Sequence, residues 1–266
     1  MKENRPNKNF NRRPAPEAQP EEIQGQLEGR NALPAALKSG RTIDKDYIAS
    51  GEVDRGLQRL AAQAKEAGAV VVPVDRRKLD AMSTTHAHQG VITLAAAHEY
   101  CTIDDILEEA ASRGENALIV ICDELSDPHN LGAIMRSAEC AGAHGVIIPK
   151  RRSVGLTATV AKASAGAVEY MKVARVTNVN NAIQELKEKG VWIFGTAAEG
   201  SIPMYKADLT GPAAIVIGSE GDGMRPLVRM NCDVTVHIPM KGRISSLNAS
   251  AAASILLYEA VRQRLG

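Results

Sequence analysis

Six short apolar runs recur in the second half of the chain, at residues 117–122, 145–148, 171–176, 191–196, 213–218 and 234–238. Helical spacing fills stretches between them, at 131–141, 178–189 (closed by Gly190) and 224–230. Runs that are apolar at consecutive positions are buried on both faces, and strands separated by helices must run parallel. Strand and helix alternating over ~150 residues therefore predict an α/β fold, a parallel sheet covered on both sides. In such sheets ligands sit beyond the carboxyl ends of the strands. The last run stops at Pro239. A glycine-containing loop follows, then a helix with Ala249, Ala252, Ala253, Leu256, Leu257 and Ala260 on one face. Between loop and helix stand Ser245, Ser246 and Asn248. Hydroxyls and an amide beside the free N–H groups of a helix start are either caps or a ligand site.

Residues 23–97 carry a second, smaller alternation. Helices are expected at 30–38, 53–67 (closed by Gly68) and 76–82 (capped by Asp75), and strands at 42–49, 70–74 and 91–97. This reads as a compact α/β module, with the polar turn His86-Ala87-His88-Gln89-Gly90 before its last strand. Thr102 and Asp105 mark the start of an acidic helix, taken as a connector over 98–115 that leads into a second domain at 116–266. Residues 1–22 are rich in asparagine and proline and nearly free of apolar side chains, so they are expected to form a disordered tail.

Composition excludes several classes. No apolar run approaches the length of a membrane span, and the first twenty positions carry charge and proline, so neither a span nor a secretory signal is expected and the chain reads as cytoplasmic. Cys101, Cys122, Cys140 and Cys232 form no Cys-x-x-Cys pair, which argues against zinc or disulfides. The net charge of +1 hides local basic clusters at 12–13, 76–78, 150–152 and 241–243. Aromatics at 3% provide no base-stacking platform, so any bound RNA is held through phosphate and shape.

Three strand ends share polar chemistry. Asp127-Pro128-His129-Asn130-Leu131-Gly132 follows the first run, with Asn130 placed to cap a helix and Arg136 further along it. Gly218-Ser219-Glu220-Gly221-Asp222-Gly223 follows the fifth, with Glu220 as a single carboxylate expected to be buried. The third is the stretch from Ile238 to Asn248. The glycines do not match the dinucleotide fingerprint, no Walker-type phosphate loop occurs, and Ser219 is not in a nucleophile elbow. A nucleotide-dependent oxidoreductase is thereby disfavoured.

These three stretches, in this order, resemble motifs one, two and three of the SpoU-type ribose 2′-O-methyltransferases of the SPOUT superfamily. Glu28-Gly29-Arg30-Asn31 and the module after it are similar to the substrate-binding domain of family members that methylate a guanosine in 23S rRNA. Ala249 stands where relatives often carry valine. The resemblance implies a C-terminal SPOUT domain with a deep trefoil knot behind a small RNA-binding domain. It also implies a homodimer, RNA as partner, and S-adenosylmethionine as cofactor with no metal. The implied cofactor residues are Thr196 and the loop to residue 200, Gly218, Glu220, Gly221, Ile238, Met240, Ser246 and Leu247. The implied catalytic set is Asn130, Arg136, Glu220, Ser246 and Asn248.

Relatives are described with the motif-one arginine as base. A guanidinium stays protonated in proteins, so Arg136 is better read as a cation that grips phosphate and stabilises charge on the attacking oxygen. Glu220 would then hold Arg136 or a backbone amide. Two alternatives stay open: a transfer-RNA ribose methyltransferase, whose relatives share the same motifs, and a catalytically silent RNA-binding relative.

Overall fold

The computed structural model describes residues 25–51, 54–197 and 201–266. The expected tail, the starts of the module at 23 and of its second helix at 53, and residues 198–200 of the expected cofactor loop lie outside the described residues.

Among the described residues the chain forms two sheets. The first contains β1 (Gln26–Glu28), β2 (Ile43–Ala49), β3 (Val70–Val74) and β4 (Val91–Ala95) in the order β1-β4-β2-β3, with β2 and β3 parallel and the other pairs antiparallel. Helices α1 (Ala32–Lys38) and α2 (Arg55–Glu66) bury Leu33, Ala36, Leu57 and Leu60 against Ile43, Ile48 and Val91 on one face. Helix α3 (Arg76–Met82), capped by Asp75, seats Leu79 on the other face with Val74, Ile92 and Tyr47. β1 has only three residues, too few for alternation to reveal it in the sequence.

Helix α4 (Ile103–Arg113) starts with the capping box of Thr102 and Asp105. Instead of bridging a gap, it buries Ile103, Ile106 and Ala110 in the core of the second sheet. Ile106 lies so close to Gly145 that a Cβ there would come within 2.6 Å of it.

The second sheet is parallel throughout, in the order β7-β6-β5-β10-β8-β11-β9. Its strands are β5 (Leu118–Cys122), β6 (Gly145–Pro149), β7 (Lys172–Val176), β8 (Trp192–Thr196), β9 (Ile202–Pro203), β10 (Ala213–Ile217) and β11 (Val234–His237). Every residue of β5, β6 and β10 is buried. Leu118, Val120 and Cys122 share a core with α5 (Pro128–Cys140), α6 (Ala158–Ala163) and α9 (Ala249–Leu265). Ile119 and Ile121 face the opposite core, built by α4, α7 (Val179–Glu188) and α8 (Pro226–Asn231). Both faces are thus covered, as the continuous apolar runs require. At its far end α9 is pinned by Arg264, whose guanidinium donates to the carbonyls of Asn116, Ala117, Leu209 and Gly211.

The sheets meet at a buried polar junction. Asp44 of β2 and Arg175 of β7, 4% and 6% exposed, pair at 2.7 Å. Tyr100 donates to Asp44 at 2.8 Å, lies 5.2 Å from the Arg175 guanidinium, and accepts from the Leu156 N–H. A Cβ on Gly155 would fall 2.3 Å from Asp44 Oδ2, so only glycine leaves room for this pair.

Candidate active site

The loops leaving β5, β10 and β11 converge beyond the carboxyl edge of the second sheet. A cavity of about 700 Å³ lies against the ends of β8, β10 and β11, and neither Asn130 nor Asn248 lines it. Its lining includes Thr196, Gly218, Glu220, Gly221, Ile238, Met240, Ser246 and Leu247, all singled out from sequence, over an apolar floor of Ile217, Val236, Ala252 and Leu256. Volumes of 300–1,000 Å³ are those of ordinary small-molecule sites.

The 218–223 loop folds back on itself. The Ser219 N–H donates to the Gly223 carbonyl at 3.0 Å, and the Gly223 N–H to that of Ser219 at 3.3 Å. A Cβ on Gly218 would stand 2.2 Å from the backbone of Gly223 and Met224, so this turn excludes every other residue. Thr196 spends its hydroxyl on the Val216 carbonyl, tying the ends of β8 and β10 together at 2.9 Å.

Side chains then join the three loops into one unit. Asn130 donates to Glu220 Oε1 at 2.9 Å, and Asn248 donates to Asn130 Oδ1 at 2.9 Å. Asn248 Oδ1 accepts from the N–H groups of Ser250 and Ala251, capping α9. The direction of this chain is forced. An ionised carboxylate only accepts, so Asn130 must turn its amide to Glu220, which leaves its oxygen for Asn248 and the Asn248 oxygen for the helix.

Two expectations are corrected here. Asn130 does not cap α5: Asp127 does, accepting from the His129 N–H, and Asn130 sits one turn inside with its side chain buried and free to bond elsewhere. Glu220 is exposed; of the two expected partners, Arg136 or a backbone amide, it takes a backbone amide, the Asp127 N–H at 3.4 Å, together with the Asn130 side chain. The buried carboxylate at this edge is Asp123, 0% exposed, which takes the backbone N–H and Nε of Arg225 at 2.9 Å each. The Arg225 guanidinium also reaches Glu124 at 3.2 Å. An acidic pair closing an apolar strand was the sequence signal for it. Ser201, whose hydroxyl meets His237 Nδ1 at 2.9 Å, had no such signal.

Arg136 lies apart. It is exposed on α5 and does not line the cavity. Cys122, beneath the loops, is no nucleophile: burial, with the charges of Glu220 and Asp123 nearby, pushes its thiol up to about 12. No group of three or more potential metal ligands occurs among the described residues, and no helix there is long and apolar enough to cross a membrane.

Residues 117–258 match the model of the SpoU rRNA methylase family. The chain belongs to that family. Residues 26–101 match a model for RNA 2′-O ribose methyltransferase substrate binding, so this SpoU-family RNA methyltransferase carries a substrate-binding module ahead of its methylase domain. Relatives span nearly the whole chain. YacO of Bacillus subtilis (strain 168), named as a TrmH-family tRNA/rRNA methyltransferase, is 48% identical over 89% of this chain and 94% of its own length. The 23S rRNA (guanosine-2′-O-)-methyltransferase RlmB of Ralstonia nicotianae is 43% identical over 90% of this chain and 95% of its own. Among solved structures, the SpoU methyltransferase AviRb of Streptomyces viridochromogenes in complex with AdoMet superposes with a TM-score of 0.58 at 26% identity, over 91% of this chain and 92% of that one. An AdoMet-bound rRNA methyltransferase from Sinorhizobium meliloti gives 0.58 at 26%, over 91% and 89%.

Proposed function

We propose that the protein methylates a ribose 2′-hydroxyl of RNA with S-adenosylmethionine, and that its target is a guanosine of 23S rRNA in the cytoplasm. The observation that carries this is the hydrogen-bonded chain Glu220–Asn130–Asn248, which ties the β5 loop to the β10 and β11 loops that line the cavity. The guanosine target rests on the similarity to RlmB over nearly the full length of both chains.

The residues present fit the cofactor. The cavity has adequate volume, and the turn at Gly218, where a Cβ would meet backbone, lets loop amides and carbonyls approach a ligand closely. Gly218, Gly221 and Thr196 would hold it at one wall. Ile238, Met240 and Leu247 would pack against its adenine, and Ser246 would bond its polar groups. Bound there, the cofactor supplies an electrophilic methyl group. The chain's own task is to bring a 2′-oxygen into line with it, an alignment worth on the order of 7–11 kcal/mol at best. Asn130 and Asn248 fix the loop that faces the RNA. Arg136 supplies positive charge for the phosphate and for the oxygen as it becomes anionic. Displacement at a sulfonium needs no metal.

Two further features belong to this reading. The chain acts as a homodimer, in which Arg136, exposed on its own subunit, completes a site. The C-terminal segment is knotted. In support, β11 lies between β8 and β9 and parallel to both, with Val236 opposite Thr196 on one side and Ile202 on the other.

The test is methyl transfer from labelled S-adenosylmethionine to 23S rRNA and to transfer RNA, followed by mapping of the product. 2′-O-methylguanosine in 23S rRNA is expected. Product in transfer RNA alone would move the target, and product in neither would remove the activity.

A further inference from the structure

Two basic clusters that stand far apart in sequence, 76–78 and 150–152, come together across the junction of the two sheets. Lys78 lies over the Tyr47 ring, 5.8 Å from its centroid. Lys45, two positions earlier on β2 and so on the same face about 7 Å away, donates to the Ser153 carbonyl at 3.1 Å. Ser153 follows Lys150, Arg151 and Arg152. Lys150 in turn reaches back to the module, its Nζ 3.7 Å from where a Cβ on Gly68 would stand.

The far end of this strip touches the candidate active site. Arg152, 77% exposed, pairs with Glu124 at 3.4 Å, and Glu124 pairs with Arg225, the residue after Met224 of the cavity wall. Glu124 and Arg152 both hold left-handed backbones, φ 61° and 55°, which bulky residues adopt only when their surroundings impose it. This bent pair turns the Arg152 guanidinium out to solvent. Among the described residues no carboxylate pairs with Arg76, Arg77, Lys78, Lys150 or Arg151. Uncompensated cations in a row, on a protein with few aromatics, fit a polyanion recognised through its phosphates.

We propose that Arg76, Arg77, Lys78, Lys150, Arg151 and Arg152 form one phosphate-binding strip that leads an RNA strand from the substrate-binding module to the cavity. The strip deepens the function proposed above and rests on it for the identity of the RNA. It assigns the module's α3 face and the edge at Gly68, and not the outer face of α1 and α2, to the substrate.

The experiment compares the full-length protein with Arg76→Glu/Arg77→Glu, with Arg151→Glu, and with Arg55→Glu/Arg59→Glu at the start of α2, which lies on the opposite face of the first sheet. All five side chains are exposed, so folding is undisturbed. Affinity for a 23S rRNA transcript is measured over a salt series, with S-adenosylmethionine affinity as a control. Each strip variant is expected to bind the transcript at least about tenfold more weakly and to flatten the salt dependence by about one phosphate contact per residue. The α2 variant should bind like the wild type. Equal losses in strip and α2 variants, or no loss in the strip variants, would overturn the strip, as would a wild type that does not bind the transcript. If the wild type binds but methylates no RNA, the proposed function fails while the binding comparison still decides the strip.

Discussion

Asn248 donates its side-chain amide to Asn130 at 2.9 Å, across 118 positions of sequence, and the same Asn248 oxygen caps α9. One residue thereby fixes both the start of the C-terminal helix and the loop that opens α5. Through Asn130 the constraint passes to Glu220 on the glycine loop. The three loops therefore cannot shift independently.

Asn130→Asp tests that coupling. The new side chain sets a buried carboxylate oxygen, with no donor of its own, against Glu220, which keeps only the longer bond from the Asp127 N–H. A buried polar group left unsatisfied, here the new oxygen at position 130, costs about 1–3 kcal/mol. Urea unfolding should show a loss of that size, and methyl transfer should fall by at least about a hundredfold. Asn248→Ala removes the helix cap as well, worth about 1 kcal/mol by itself. Wild-type stability and turnover in Asn130→Asp would show that the three loops are held by something else.

Gly218→Ala and Gly221→Ala separate backbone necessity from mere smallness. At 218 a Cβ meets main-chain atoms at 2.2 Å, which cannot move aside, whereas at 221 nothing lies within 4 Å. Gly218→Ala should open the loop, lower the melting temperature by several degrees and weaken S-adenosylmethionine binding at least tenfold by calorimetry. Gly221→Ala should keep the wild-type melting temperature. A common melting temperature for both variants would mean that the turn is not the constraint it looks to be.

The junction predicts a larger effect. Asp44→Ala strands the Arg175 guanidinium in an interior site only 6% exposed. Removing one partner of a buried pair costs about 3–5 kcal/mol, far more than loss of a surface pair. Thermal or urea unfolding of Asp44→Ala beside Arg152→Gln, whose ion pair is exposed, should give a ratio of several-fold. Equal costs would remove the junction pair from the account of stability.

Asp46 gives a pH signature. Burial pushes its carboxyl up from 3.8 to about 6, with the Thr93 hydroxyl opposing, and its Oδ2 has no hydrogen-bond partner. The folded state therefore holds a proton that the unfolded state has released, and stability falls as pH rises from about 4 to 6. The accumulated cost at neutral pH is about 3 kcal/mol. Asp46→Asn should accordingly gain stability at pH 7 and lose that advantage near pH 4. A difference between the two proteins that is flat with pH would contradict the burial argument.

Much of this architecture was legible because buried parallel strands announce themselves as apolar runs, and because Asp75, Thr102 with Asp105, and Gly190 mark helix ends locally. What escaped was either too short to show a period, as β1 and β9, or tertiary in origin. Asp127 and Asn130 are equivalent as caps in a sequence, and only the fold, by bringing Glu220 and Asn248 to Asn130, decides between them. The same holds for Asp44 and Arg175, partners 131 residues apart in the chain. Asp123 was the one miss with a readable sign, a charge directly after a strand whose every residue is buried.

Arg136 is the case in which motif and geometry part. It lies six residues beyond Asn130 on α5, about 9 Å along the axis and roughly 120° around it. It cannot share the face that Asn130 turns to Glu220, and it does not line its own subunit's cavity. In the homodimer proposed above, its charge would serve catalysis across the subunit interface. Arg136→Ala should then keep wild-type S-adenosylmethionine affinity and lose at least about a hundredfold in turnover. Mixing that variant with Gly218→Ala, which retains Arg136 but has a damaged cavity, should restore part of the activity in mixed dimers. Neither parent has an intact site, yet one of the two sites in each mixed dimer combines a sound cavity with a partner's arginine. Full loss in Arg136→Ala without recovery on mixing would place the arginine's action within its own subunit, and undiminished turnover would remove it from the mechanism.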